Sequence, residues 1–219
     1  MDDIHRDTDR VASEFMMHDS CEECGSSDAK SIYSDGHAYC FSCHTYFPAE
    51  GERRPMTGSV SLLGEARKLD KRGLSQKTCQ RFKIHRDGDY LRHYYHSKDG
   101  VLLGCKVKTK DKQFWYEGDS DGSFFGQHLW PSTGKRVVIT EGELDAASCS
   151  EVQPTWPMVS LPSGAASAKK AIQQNLEFLQ GYEEIVLFFD NDEPGRKAAK
   201  ECADILPPGK VSIASLASY

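Results

Sequence analysis

Four of the eight cysteines fall into two C-x-x-C pairs, Cys21/Cys24 and Cys40/Cys43, and no other feature restricts the fold of this chain as much. Each pair presents two thiolates from one tight turn, and a hairpin between the pairs brings four sulfurs together around a tetrahedral zinc ion, each at about 2.3 Å. Gly25 follows the first pair, where such a turn calls for positive φ. A unit of ~30 residues buries too little apolar surface to fold alone, so the metal is expected to supply much of its stability. His37 and His44 are ligands by type, but four cysteines already fill the shell. In a reducing compartment, paired C-x-x-C motifs point to metal rather than to disulfides. Cys79, Cys105, Cys149 and Cys202 stand alone and read as small buried apolar residues.

The opening MDDIHRDTDR has no apolar stretch of the kind a secretory signal carries. Nothing in the chain approaches the roughly 20 apolar residues of a membrane span, so no membrane association and a cytosolic setting are expected. The net charge of -6 is unevenly spread: residues 1–50 carry -8, residues 51–115 carry +9 and residues 116–219 carry -7. The central block suffices to neutralise phosphates although the whole chain is acidic.

Alternating stretches such as SIYSDGHAYCF read as short strands around an Asp-Gly turn, giving a small β unit over residues 1–47. Residues 48–61, PAEGERRPMTGSVS, have a linker composition. Residues 62–133 form a basic subdomain: a turn at Arg72-Gly73, a helix QKTCQRF capped by Ser75, then antiparallel strands around Lys98-Asp99-Gly100. From 134 to 219 strands and helices alternate: RVVIT, EGELDAASCSEV, PMVSL, SAKKAIQQNLEFLQ, EIVLFFD, PGRKAAKECADIL and KVSIASL. That order, with near-continuous apolar strands, implies a doubly wound parallel sheet, so the chain is expected to be α/β with a small β zinc ribbon attached.

Two acidic sets end strands of that sheet: Glu141, with Asp145 one helical turn on, and Asp190-x-Asp192. Ligands of open parallel sheets bind beyond the carboxyl ends of the strands, so the sets can converge there. Clustered carboxylates that leave room for water suit Mg²⁺. Asp192 alone also reads as a helix N-cap. An EF-hand is excluded: Pro194 occupies a ligand position, and a buried strand precedes the loop. Arg67, Lys68, Lys71 and Arg72, with the alternating Lys106, Lys108, Lys110 and Lys112, form the third constellation. On a strand the last four would share one face, which could hold phosphates or simply be solvated. Tyr90, Tyr94, Tyr95, Trp115 and Tyr116 could stack bases or pack in the core.

A four-cysteine ribbon, a linker, a basic region, then VITEGELDAAS and VLFFDNDEPGRKAA resembles the primase half of podovirus-type bacteriophage primase–helicases, whose catalytic module is a TOPRIM domain. The resemblance spans roughly residues 15–219. It implies synthesis of short RNA primers from ribonucleoside triphosphates on single-stranded DNA in the host cytoplasm, beside the phage's replicative DNA polymerase. It further implies that Glu141, Asp190 and Asp192 bind Mg²⁺, with Glu141 taking part in proton transfer. Arg72, Lys106, Lys108 and Lys112 would contact nucleotide or template, His37 would read the template, and Cys21, Cys24, Cys40 and Cys43 would hold one structural zinc. The family carries another acid just past the fourth strand, where this chain reaches Ser218-Tyr219, and LPSGAASAKK replaces a glycine-rich turn. No G-x-x-x-x-G-K-[ST] occurs, so a fragment lacking the fused helicase domain is expected. The alternatives are a catalytically silent zinc-ribbon/TOPRIM binder of single-stranded DNA and a TOPRIM nuclease.

Overall fold

The computed structural model describes residues 13–43, 45–47, 60–111 and 113–215. Most of the expected linker lies outside the described residues, as do His44, Lys112, Ser218 and Tyr219. The chain divides into two compact units, Met1–Met56 and Thr57–Tyr219.

The first unit is a four-stranded antiparallel sheet with its strands in chain order: β1 (Phe15–Asp19), β2 (Lys30–Tyr33), β3 (Ala38–Cys40) and β4 (Tyr46–Phe47). The Asp-Gly turn closes between β2 and β3, with Gly36 N–H donating to the Tyr33 carbonyl at 2.9 Å. Among the described residues the buried side chains here are Cys21, Ser31, Ala38 and Cys40. So small an apolar core cannot offset the entropy of ordering the chain. The sulfurs at its centre must do so through what they bind.

The second unit opens with helix α1 (Gln76–Arg81), where Ser75 Oγ accepts the Thr78 N–H at 3.2 Å, the cap that the sequence led us to expect. An antiparallel meander follows: β5 (Ile84–Asp87), β6 (Tyr90–His96), β7 (Leu102–Lys108) and β8 (Phe114–Gly118). The chain then builds β9 (Gly134–Thr140), α2 (Glu143–Val152), β10 (Met158–Ser160), α3 (Ala168–Gln174), α4 (Leu176–Gln180), β11 (Tyr182–Phe188), α5 (Glu193–Ala203) and β12 (Val211–Ile213). The four strands of this half are parallel, in the order β10-β9-β11-β12.

Both faces of the parallel sheet are covered, because consecutive residues of a strand face opposite ways. Val137 and Ile139 of β9 pack with Ile172 of α3, Leu179 of α4 and Ala199 of α5. Val138, between them, packs on the other face with Ala146 and Ala147 of α2 and with Phe82, Ile84 and Tyr95 of the meander half. The change near residue 134 is therefore a change of sheet within one compact unit. SAKKAIQQNLEFLQ, expected as one helix, breaks at Asn175. The buried Asn175 side chain donates to the Ala171 carbonyl at 2.8 Å and to the Gly122 carbonyl at 2.9 Å, so it serves two backbone groups from the gap between α3 and α4.

Three histidines lie in or beside the meander. His93 is fully buried with Nε2 unpaired, and the rings of His96 and His128 stack at 4.3 Å. Burial lowers all three, His93 and His128 to about 4. Groups that lose proton affinity on folding make the unfolded state the better proton binder, so stability falls as pH drops from ~6.5 towards ~4. For His93 the effect is on the order of 3 kcal/mol. Urea unfolding across that range should show the midpoint falling, with a shallower fall in His93→Gln. A pH-independent midpoint would contradict a neutral, buried His93.

Candidate active site and metal centre

In the first unit the four cysteine sulfurs lie within 4.8 Å of one another, the single such grouping of metal-ligating side chains among the described residues. Cys21 to Cys43 and Cys24 to Cys40 are each 3.7 Å apart. A tetrahedral shell with metal–sulfur bonds of about 2.3 Å has edges of ~3.8 Å, which both 3.7 Å pairs match. Gly25 closes the first knuckle at φ 71°, its N–H donating to the Cys21 carbonyl at 2.8 Å. Burial would raise the Cys43 thiol, but Thr45, Cys40 and Cys24 draw it down to about 6, towards the thiolate that a metal needs. His37, on the β2–β3 hairpin, stacks flat on Tyr33 at 4.4 Å and meets Asp35 at 2.5 Å through Nδ1.

In the second unit Glu141 directly follows β9, at the carboxyl rim of the parallel sheet. Its Oε1 accepts the Ala165 N–H at 3.3 Å, and its Oε2 accepts the Asp190 N–H at 3.4 Å. The rim thus brings Glu141 to the segment after β11 across 49 residues of sequence. Burial raises the Glu141 carboxyl above its ordinary range, and the charges of Asp190 and Asp192 raise it further. Asp190 is exposed. Asp192 is also exposed, and its Oδ1 caps α5 by accepting the Gly195 N–H at 2.8 Å. The carboxylates therefore share a rim without forming a tight cage. Mutually repelling carboxylates on an open rim fit Mg²⁺, which keeps several of its waters. Asp145 extends the acidic patch, raised by burial and by Asp190 and lowered by Arg72 and Lys108.

The lysine series behaves differently from its expected alternation. β7 ends at Lys108, and the hairpin closes through Thr109 N–H to the Gln113 carbonyl at 2.9 Å. Lys110 lies in that turn, 2.6 Å from Asp89, and lines the same cavity as Lys106 and Lys108 although the strand has ended. Both ammonium groups are held by Glu143, the first residue of α2: Lys106 on Oε1 and Lys108 on Oε2, each at 2.7 Å. The Tyr95 hydroxyl donates to Oε1 at 2.7 Å. The Glu143 side chain is 1% exposed, that of Lys106 8% and that of Lys108 31%. Lys106 therefore enters the site already neutralised, whereas Lys108 keeps a face towards a cavity of about 940 Å³ that Lys68, Lys71, Arg72, Lys110 and Phe114 also line. Arg67 pairs with Glu65 at 2.9 Å. Of the aromatic residues, Tyr94 and Tyr95 are core, while Tyr90, Trp115 and Tyr116 are 40–44% exposed.

Glu143 is the residue that sequence reasoning passed over. It lies two positions after Glu141 and reads as another surface acid at a helix start. The signal was available in the two lysines: side chains that alternate on a strand and point into a core need a buried counter-charge.

Residues 138–218 match the Toprim-like family model. Over 236 aligned residues the chain is 39% identical to a DNA helicase/primase of Enterobacteria phage T3, with 97% of this chain and 41% of that protein covered. It thus spans about two fifths of that relative's length. It superposes on the crystal structure of the primase fragment of the bacteriophage T7 primase–helicase with a TM-score of 0.65, at 39% identity, over 92% of this chain and 90% of that one. A second T7 structure has primase domains of two subunits bound to an RNA/DNA hybrid and dTTP and interacting with the lagging-strand DNA polymerase. There the TM-score is 0.66 at 42% identity, over 71% of this chain and 82% of the other. A parallel sheet with its acids on one rim, a four-cysteine cluster, and this likeness along nine tenths of a solved primase fragment place the chain in the family of bacteriophage primase–helicases, as their primase part.

Proposed function

We propose that the chain synthesises short RNA primers on single-stranded DNA from ribonucleoside triphosphates, as a Mg²⁺-dependent nucleotidyltransferase. The observation that carries this reading is the hydrogen bond between Glu141 and the Asp190 backbone at the rim, with Asp145 within electrostatic reach of both Asp190 and the cavity cations Arg72 and Lys108. Primer synthesis joins a 3′-hydroxyl to an α-phosphorus and expels pyrophosphate, so it needs a proton acceptor and a means of holding negative charge. Glu141, at the rim beside the Asp190 backbone, would take the hydroxyl proton. Lys108, Arg72 and Lys112 would orient the triphosphate, and Lys106, already bound to Glu143, would hold the cavity floor. Mg²⁺ held by Glu141, Asp190 and Asp192 would offset the charge that builds up on the transferred phosphorus.

The ribbon would select the template, with His37 on its hairpin as the reading side chain. A fused helicase, the phage replicative polymerase and the host cytoplasm complete the setting by kinship. Incubating the chain with single-stranded DNA, NTPs and Mg²⁺ should give short RNAs. Template cleavage instead would favour a nuclease, and binding without product a silent domain.

The zinc reading makes its own prediction. The purified chain should carry one zinc, and Cys40→Ser should release it and unfold residues 13–47. Structural zinc contributes on the order of 10 kcal/mol to units of this kind. The second unit, with its own core, should melt as before. Dispersed amide signals from the ribbon in a zinc-free sample would rule out the metal as its stabiliser.

A further inference from the structure

Glu141 is held through the turn that follows β10. Ala165 in that turn donates its N–H to Glu141 Oε1 at 3.3 Å. The near end of the turn is gripped at a single atom: the Pro162 carbonyl accepts from the Tyr116 hydroxyl and from Lys106 Nζ at 3.1 Å, while the Tyr95 hydroxyl, whose one proton goes to Glu143, lies 3.4 Å away. These two donors come from the neighbouring strands β8 and β7. Two donors match the two lone pairs of a carbonyl, so this oxygen ties the meander to the turn beside Glu141.

Two residues, Ser163 and Gly164, separate the anchor from Ala165. Gly164 sits at φ 70°, ψ -170°, a conformation that only glycine adopts without strain. The turn is short, so moving the Pro162 carbonyl moves the Ala165 N–H and with it the carboxylate. Tyr95 and Lys106 also bond Glu143, and removing either would disturb that buried pair. Tyr116 bonds the carbonyl without bonding Glu143, although its hydroxyl also lies against Lys106 and Tyr95, and the residue is 44% exposed.

We propose that Tyr116 is a positioning residue which, through the Pro162 carbonyl and the 162–165 turn, sets the Glu141 carboxylate for binding a divalent cation. The inference rests on the reading of Glu141 as a metal ligand. It assigns to β8, an edge strand of the meander, a part in metal affinity rather than in nucleotide contact.

The test uses the zinc-loaded full chain with Mn²⁺ as the probe, free ion being followed by electron paramagnetic resonance, a readout independent of RNA synthesis. Tyr116→Phe keeps the ring over Lys106 and removes only the hydroxyl. It should weaken Mn²⁺ binding about tenfold, the scale of losing a group that orients a metal ligand, with the melting midpoint unchanged. Gly164→Ala, which strains the same turn from its other side, should weaken binding similarly, and the double variant should be little worse than either single one. Parent-like Mn²⁺ affinity in Tyr116→Phe would overturn the proposal while leaving the metal site intact. Parent-like affinity in Glu141→Gln would overturn the metal site itself, and the positioning role with it.

Discussion

Glu141→Gln should lower RNA synthesis by about two to three orders of magnitude, the usual scale for deleting one preorganised electrostatic group, and at the same time leave the fold as stable or more so. The second half of that expectation follows from the rim. Burial and the charges of Asp190 and Asp192 all oppose ionisation of Glu141. An acid whose folded pKa lies above its unfolded one costs stability at neutral pH and regains it as pH falls through the raised value. Glutamine carries no charge, so the repulsion disappears; it keeps one of the two oxygens that accept the Ala165 and Asp190 N–H groups, and loss of the other, about 1 kcal/mol, offsets part of that gain. Loss of function with retained or increased stability marks a site selected for chemistry rather than for folding. The measurement pairs RNA yield on a denaturing gel with a urea midpoint at neutral pH. Undiminished yield would remove Glu141 from the reaction, and a large drop in midpoint would recast it as structural.

Local signals carried much of the architecture. The cysteine spacing foretold a quartet that closes within 4.8 Å, because two tight turns and a hairpin leave few other arrangements. Apolar runs such as IVLFF announced a sheet covered on both faces, and Val137, Val138 and Ile139 do divide between two cores. Glu141 and Asp190 could be brought together from sequence because the carboxyl ends of parallel strands share one rim. What stayed hidden were interactions between sheets. Periodicity gives the side of a strand on which Lys106 lies, but not that α2 would offer a buried carboxylate opposite it. Nor does composition reveal that Asn175 would stop a helix in order to bond Gly122, a residue 53 positions away. Lys106, Lys108 and Lys110 do reach one cavity, but only the first two do so from a strand. Alternation persists only while the strand does, and a hairpin ends this one at Lys108.

Glu143→Gln should have the opposite profile to Glu141→Gln: a loss of about 3–5 kcal/mol in stability, the range for breaking a buried ion pair at one partner. Glu143 accepts from Lys106, Lys108 and Tyr95, each at 2.7 Å, with its side chain 1% exposed. Burial works against its charge, yet Lys106 and Lys108, each at 2.7 Å, hold its carboxyl well below the usual range. Without that charge Lys108, 31% exposed, can turn to solvent, whereas Lys106, 8% exposed, is left as an uncompensated cation under the Phe114 and Tyr116 rings. The double variant Glu143→Leu with Lys106→Met should therefore recover much of the loss, since an apolar pair of similar volume can replace a buried ion pair at little cost. The pH dependence has a defined sign. A carboxylate with a depressed folded pKa stabilises above its unfolded value of ~4.3 and loses that contribution as pH falls below it. The gap between parent and Glu143→Gln should accordingly be widest near neutral pH and narrow in acid. A gap that is small at pH 7, or a double variant no better than Glu143→Gln, would mean that Lys106 reaches water after all and that the pair contributes little to joining the two sheets.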